Sequence, residues 1–458
     1  MMLTGTHANG NESGVAMRDW PEATFSQAID AAMHRLDDPA VVQPLHTLRD
    51  TYLALDPAQR RACLGHLAER LEADTARLPA LPAEVNLRDP AHVAALADLR
   101  QALVSRRWLL LGQFINLPGG IKFLVDLRAE LRKAMRDLPD RPALRLLDDD
   151  LLAWFRTWFP FGLLQLVPIN WHTTSAAQLE KIMADDVVHP MTSWADLRRR
   201  LDRDRLCYAF YHPIMPDEPL VFVEIALTRT ITSSIDRLFT AAAMDRAEDA
   251  TTAIFYSINS TQPGLAGVSL GNSLIKTVVA ELQRRYPNLK RFSTLSPMPG
   301  FRDRYVEPLL AGQARFALDP ARIPDLFSDA DRLAIQRAGA SDDLLAALRT
   351  TLATDAWTRD PALRLALKPG LLRLAHHYLT AEKRGGDPLN PVAAFHLKNG
   401  AVLYNLNHLS NTSPKGLAES YGMTVNYHYD LKQIDTNRDR ARTGEVAVSP
   451  QLERMLAL

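Results

Sequence analysis

The sequence predicts an α+β protein: an all-helical N-terminal domain followed by an α/β domain that carries a helical insertion. Two patterns predict it. Apolar residues recur at helical spacing from about Phe25 to Trp158, and from Leu164 onward β-branched and aromatic runs alternate with helical stretches. The length of 458 residues agrees, since roughly 150 residues per domain gives two or three domains.

In the first part, Val41 to Leu55, Pro57 to Ala73 and Pro118 to Arg136 each read as a one-stripe amphipathic helix. Pro57 and Pro118 stand where a first-turn proline is tolerated. In the third helix Ile121, Leu124, Val125, Leu131 and Met135 form a stripe that Arg128 interrupts. Such helices pack as an antiparallel bundle. No chemical constellation is visible here, so a structural role as lid, support or oligomer surface is expected for residues 21–162. Residues 1–20 read as a flexible arm.

Past Phe159-Pro160-Phe161-Gly162 the pattern changes. Leu164 to Ile169, Leu206 to Tyr211, Leu220 to Leu227 and Thr252 to Ile258 read as strands. Leu220-Val221-Phe222-Val223 is apolar throughout, as a central strand covered on both faces would be. Helices return from Ile323 to Ala381. A strand pair follows at Ala401 to Asn407 and Met423 to Tyr429, set off by Arg384-Gly385-Gly386-Asp387-Pro388. Residues 163–458 are expected to form one domain.

The bulk numbers exclude several classes. Lys+Arg and Asp+Glu both number 53, so no net charge draws in nucleic acid or an anionic membrane, and an anionic ligand needs a local site. Cys63 and Cys207 cannot build a disulfide framework or a cysteine-rich zinc site, although a single bridge stays open. No apolar run approaches the roughly 20 residues that span a bilayer. Met1 to Trp20 lacks the features of a signal or transit peptide, and Arg454 to Leu458 carries no peroxisomal address. These readings point to the cytoplasm.

The segment from Ile254 to Tyr305 carries the chemistry. A strand leads into Ser260-Thr261-Gln262-Pro263-Gly264-Leu265-Ala266-Gly267, then a helix from about Val268 to Tyr286, a strand from Lys290 to Leu295, and Ser296-Pro297-Met298-Pro299-Gly300-Phe301. Gly264, Gly267 and Gly271 would let backbone approach a bulky anion at a helix start, where free N–H groups and the helix dipole favour negative charge. The spacing fits neither the Gly-Lys-Ser/Thr phosphate loop nor the dinucleotide fingerprint.

Several blocks resemble the malonyl-CoA decarboxylase family. They are Thr261-Gln262-x-Gly264-Leu265-x-Gly267-Val268-x-Leu270-Gly271, Phe292-Ser293-Thr294-Leu295-Ser296-Pro297-x-Pro299-Gly300-Phe301, Phe395-His396-Leu397-Lys398-Asn399-Gly400-Ala401 and Gly422-Met423-x-x-Asn426-Tyr427-x-Tyr429. The resemblance runs from about Leu166 to Leu431. It implies a helical N-terminal domain and a catalytic domain of the GNAT acyltransferase type, which binds CoA pyrophosphate at a loop–helix junction. It places CoA contacts on Ala266, Gly267, Val268, Ser269, Leu270, Gly271 and Asn272. The acyltransferase consensus Gln/Arg-x-x-Gly-x-Gly/Ala becomes Gly264-x-x-Gly267-x-Ser269 here.

The resemblance also assigns roles. Ser296 becomes the catalytic serine, bonding the departing carboxylate or the thioester carbonyl, with Ser293 as a second candidate. His396, which reads as the approach to a hairpin at Asn399-Gly400, becomes the proton donor to the α-carbon. Asn426 and Tyr429 become supporting residues. Decarboxylation of malonyl-CoA to acetyl-CoA and CO2 leaves an enolate, which needs preorganised donors and then a proton, and this requires no metal, biotin or Schiff base. The resemblance suggests a homo-oligomer, a tetramer built as a dimer of dimers. An N-acyltransferase on the same scaffold, or a CoA-sensing protein, are the alternatives. His376-His377 reads as helix surface.

Overall fold

The computed structural model describes residues 21–36, 38–73, 84–240, 246–268, 270, 274–313 and 315–457. The arm predicted over residues 1–20 lies outside them. Two compact units emerge. The first runs to Leu163 and takes in Pro213–Met215 and Gln262–Val268; the second holds the rest of the chain to Leu458.

The first unit is helical: α1 (Pro21–Met33), α2 (Val42–Ala54), α3 (Pro57–Arg70), α4 (Pro90–Ala102), α5 (Arg106–Gly112), α6 (Gly120–Asp137) and α7 (Ala143–Trp158). The helix α3 begins on a capping box, Asp56 with Gln59, and Pro57 fills its first position. Pro118 instead precedes α6, whose N-cap is Gly119. Leu45, Tyr52, Leu64, Leu124, Leu131 and Leu151 are buried in this core. Trp108, Trp154 and Trp158 stack in series, with centroids 4.3 and 4.9 Å apart.

Arg128 is the surprise of α6. It interrupts the apolar stripe yet is fully buried. Its Nε and Nη2 donate to Asp148 of α7 at 2.8 and 3.1 Å, which supplies the opposite charge that burial demands. Its Nη1 donates to the carbonyls of Gly264 and Ala266 at 2.7 and 2.8 Å. The glycine-rich loop is thereby fastened to the helical unit.

The second unit is built on a mixed sheet of β1 (Gln165–Ile169), β2 (Arg205–Tyr211), β3 (Val221–Thr228), β4 (Thr252–Ser260), β5 (Arg291–Thr294), β6 (Ser296–Pro297), β9 (Val402–Asn407) and β10 (Thr424–His428); β7 (Lys383–Arg384) and β8 (Asp387–Pro388) form a separate hairpin around Gly385-Gly386. The order is β1-β2-β3-β4-β5-β10-β6, with β9 on β10, and only β4 and β5 run parallel among the named pairs. As predicted, β3 is central and buried along almost its whole length.

Helices cover this sheet or extend from it: α8 (Ala176–Asp185), α9 (Trp194–Arg200), α10 (Ile235–Thr240), α11 (Leu274–Arg285), α12 (Glu307–Leu310), α13 (Asp329–Gly339), α14 (Leu344–Leu352), α15 (Pro361–Thr380), α16 (Pro391–Lys398), α17 (Pro414–Ser420), α18 (Ile434–Arg442) and α19 (Pro450–Ala457). The helical insertion predicted between Ile323 and Ala381 is present as α13 to α15. The fold is mixed α+β with a helical first region, as the sequence predicts.

Three local expectations change. The helix after the glycine loop begins at Leu274, not Val268, so Leu270 is buried outside it. His396 sits on α16, not in a hairpin approach, because Asn390 caps that helix by accepting from the Ala393 N–H, and Pro391 fills its first position. His376 and His377 are half-buried on α15 instead of on its surface. Cys63 and Cys207 are both buried, and neither is in a disulfide.

Candidate active site

The strands around Ser296 separate, and that separation makes the site. Register between β4 and β5 runs from Thr252↔Arg291 to Phe255↔Thr294. After one further bond, Leu295 N–H to the Phe255 carbonyl, the chain turns away and Ser296-Pro297 pairs with Val425 and Thr424 of β10. The strand β4 continues to Ser260, paired with β3 alone. Ser296 therefore opens a short strand of its own instead of closing β5. A cavity of about 240 Å³ occupies the cleft, lined on one side by β4 from Phe255 to Ile258 and on the other by Ser296, Pro297, Phe395 and His396.

Ser296 and His396, a hundred residues apart in sequence, meet there. The Ser296 Oγ lies 3.3 Å from His396 Nε2 and donates to Thr294 Oγ1 at 2.9 Å. On the other side of the ring, Nδ1 is 2.7 Å from the Tyr429 hydroxyl. Tyr427 stacks on the imidazole at 4.6 Å between centroids. Burial raises the Tyr429 phenol well above its ordinary value, so it stays protonated and meets Nδ1 as a hydroxyl. Burial also pushes the His396 imidazole down to about 3.

The supporting shell is mostly polar side chain on backbone. Thr294 Oγ1 accepts the Tyr427 N–H at 3.1 Å as well as the serine hydroxyl. Asn426 donates to the Thr294 carbonyl at 2.7 Å and accepts from Asn407 at 2.8 Å. Asn426 thus touches Thr294 rather than Ser296. Ser293 points elsewhere: its hydroxyl donates to the carbonyls of Thr294 and Tyr427, and it does not line the cavity. Asn390 ties α16 to the turn after β6 by donating to the Pro299 carbonyl at 3.1 Å. Thr294 and Asn390 were not singled out from sequence. Thr294 falls inside the matched block, and Asn390 before a proline is a helix-start signal.

The wall of β4 rests on a second buried cluster. Ser257 Oγ and Asn259 Nδ2 donate to Asp186 Oδ1 at 3.0 and 2.9 Å, and Arg200 Nη1 reaches Asp186 and Glu224 at 3.0 and 2.8 Å. Burial pushes the Glu224 carboxyl up to about 8, despite Arg200.

Of the seven residues expected to contact CoA, Ser269, Gly271 and Asn272 lie outside the described residues. Ala266, Gly267 and Val268 fall in the loop fastened by Arg128. A side chain at Gly264 would strike the Val125 carbonyl at 1.8 Å, so this glycine serves close packing on α6 and not access for an anion. Gly267 has φ of 88°, a conformation that favours glycine.

A serine and a histidine, with a buried phenol on the far ring nitrogen, thus line one side of a half-open cleft, an arrangement able to move a proton. The family description "Malonyl-CoA decarboxylase C-terminal domain" matches residues 162–458, and that of the N-terminal domain matches residues 71–159. The mitochondrial malonyl-CoA decarboxylase of Anser anser anser is 38% identical over 397 residues, covering 84% of this chain and 77% of its own. The Rattus norvegicus enzyme of the same name is 38% identical over 83% of this chain and 78% of its own. Crystal structures of malonyl-CoA decarboxylases from Rhodopseudomonas palustris and Agrobacterium vitis superpose with TM-scores of 0.79 and 0.80, at 36% and 35% identity. They cover 95% and 94% of this chain and 100% and 99% of theirs. The chain belongs to the malonyl-CoA decarboxylase family, whose members are carboxy-lyases.

Proposed function

We propose that Ser296 and His396 carry the carboxy-lyase reaction of this chain, malonyl-CoA to acetyl-CoA and CO2. The observation behind this reading is their meeting in one cavity, with Tyr429 orienting the imidazole. The C–C bond to the carboxylate breaks, its electron pair passes into the thioester as an enolate, and CO2 leaves. The serine hydroxyl is a rotor that can turn from Thr294 to the thioester oxygen, and such a donor is commonly worth about 3–4 kcal/mol. The α-carbon then takes a proton from His396 Nε2.

The overall change consumes one proton, so His396 must be charged before it gives one up. Burial by itself keeps it neutral. A malonyl carboxylate beside it supplies the opposite charge that raises its pKa again. Tyr429 suits both states, since its oxygen can give a hydrogen bond to Nδ1 or take one from Nδ1–H.

CoA binding by Ala266 to Asn272 belongs to the same proposal. The Ala266 carbonyl is turned to Arg128, so the N–H of Gly267 in that planar trans peptide points the opposite way. That N–H has no partner among the described residues, as a phosphate-binding amide requires. Further readings are a GNAT-type second domain, a helical first domain that supports or assembles subunits, and a cytoplasmic homotetramer. No helix among the described residues is long and apolar enough to cross a membrane, and the curated relatives above carry mitochondrial names.

The test is product analysis with malonyl-CoA, chelator and no amine acceptor. Acetyl-CoA and CO2 are expected, and an absence of turnover would sink the reading. His396→Gln keeps a side-chain N–H but cannot relay a proton. Full turnover in that variant would reduce His396 to a hydrogen-bond donor.

A further inference from the structure

A groove of about 600 Å³ in the second unit, away from the Ser296 cavity, gathers Arg364 and Lys368 of α15, Asn405 and Asn407 of β9, His408 and Ser233. Arg364 and Lys368 are exposed and stand one helical turn apart, where like charges repel. Neither makes an ion pair with a carboxylate among the described residues. The acid nearest in sequence, Asp360, spends its carboxylate on the Ala362 and Leu363 N–H groups as the helix cap. Opposite them His408 stacks on Trp357 at 6.0 Å, and its Nε2 is buried without a partner. Burial, then Lys368 and Arg364, push this imidazole down to about 4, so the cationic field reaches the groove floor.

Two unpaired cations, the Asn405 amide, the Ser233 hydroxyl and the orphaned His408 ring nitrogen on one concave surface are groups that bind a phosphate, while the Asn407 amide is turned inward to Thr424 and Asn426. Leu372, Leu406 and Met455 add an apolar wall, and the volume falls within the range of small-molecule sites. A polar path leads from the groove to the catalytic serine. Asn405 donates to Asn407 at 2.7 Å, Asn407 to Asn426 at 2.8 Å, and Asn426 to the Thr294 carbonyl at 2.7 Å; Thr294 Oγ1 holds Ser296.

We propose that this groove is a second anion site, which takes a phosphate ester of nucleotide size and biases the Asn407–Asn426–Thr294 path that positions Ser296. The inference rests on Ser296 acting in the reaction, but the site itself does not. Asn405 and Asn407 lead to the active site, whereas Arg364 and Lys368 touch nothing in it.

The experiment uses the full chain in phosphate-free buffer, with inorganic pyrophosphate and ADP as probes in titration calorimetry. Saturable binding of either is expected, weakened at least tenfold by Arg364→Ala with Lys368→Ala, a loss in line with removal of charge-assisted bonds. The double variant should keep wild-type turnover of malonyl-CoA without the probe, while the probe changes turnover of the wild type alone. No binding at about 10 mM, or binding indifferent to the double variant, overturns the site. Competition by malonyl-CoA that is equally strong in the double variant also overturns it, because the probe would then occupy the active site. Binding at the groove with unchanged wild-type turnover overturns the link to Ser296. If decarboxylation itself fails, the calorimetric arms still decide whether the groove binds.

Discussion

Two buried polar clusters share the strand β4, whose Ser257 bonds one and lines the cavity of the other, and they are built on opposite principles. In the Asp186–Arg200–Glu224 cluster the polar groups are turned on one another: Arg200 reaches both carboxyl groups and the His189 carbonyl, and Asp186 also takes Ser257, Asn259 and the His189 N–H. The Ser296–His396–Tyr429 cluster is held neutral by burial, and one edge of it opens into the cavity. The difference is instructive. A buried charge survives only when every bonding direction is filled, and a filled group has nothing left to offer a substrate. A neutral pair tolerates an open side, which fits the chemistry proposed for it.

Breaking the neutral cluster should cost activity without stability. For His396→Ala, turnover should fall on the order of 10²–10⁴, as for a lost positioned acid, with little change in melting temperature. Unchanged turnover removes the residue from catalysis. Breaking the charged cluster should do the reverse. Arg200→Ala strands a buried carboxylate, at a cost of about 3–5 kcal/mol in unfolding free energy measured by denaturant titration. Stability close to wild type would show that water already reaches the cluster.

A milder cut sharpens the contrast. Tyr429→Phe removes the hydroxyl at Nδ1 and leaves the ring stacked as before; about 1 kcal/mol, or a severalfold loss of kcat with KM nearly constant, is expected. Equal turnover would mean that the Tyr427 stack alone orients the imidazole.

The last contrast concerns pH, where buried imidazoles and a buried carboxyl pull in opposite directions. His396 and His189 are each held down to about 3, against an ordinary value near 6.5. The unfolded chain takes up their protons first, so their stabilisation is complete above roughly pH 6.5 and is lost as pH falls toward 3. Glu224 is raised to about 8 from an ordinary 4.5, so its contribution is complete below about 4.5 and is lost as pH rises through 8. Melting temperature should therefore decline on both sides of a maximum. Glu224→Gln should flatten the alkaline limb alone; an unchanged limb would assign that decline to another group.

Much of this was legible beforehand. Periodicity located α2, α3, α6 and the strands β1 to β4, and Leu220 to Val223 announced a central strand. Ser296 and His396 stood out through their matched blocks, not through spacing. The helical state of His396 is not legible in its own block, because Asn399-Gly400 resembles a hairpin turn while the Asn390-Pro391 start of α16 lies upstream of it.

What residue order by itself determined is local: which faces of α6 and β3 are apolar, where helices can be capped, and which side chains are chemically able to move a proton. Tertiary structure alone decided the partners. Tyr429 reaches Nδ1 across 33 residues, and Arg128 reaches Ala266 across 138. Arg128 looked like a flaw in an apolar stripe, and folding makes it the bolt of the glycine loop. The physical reason is that a hydrogen bond is set by distance and direction in space, and neither is encoded in periods of two or 3.6 residues.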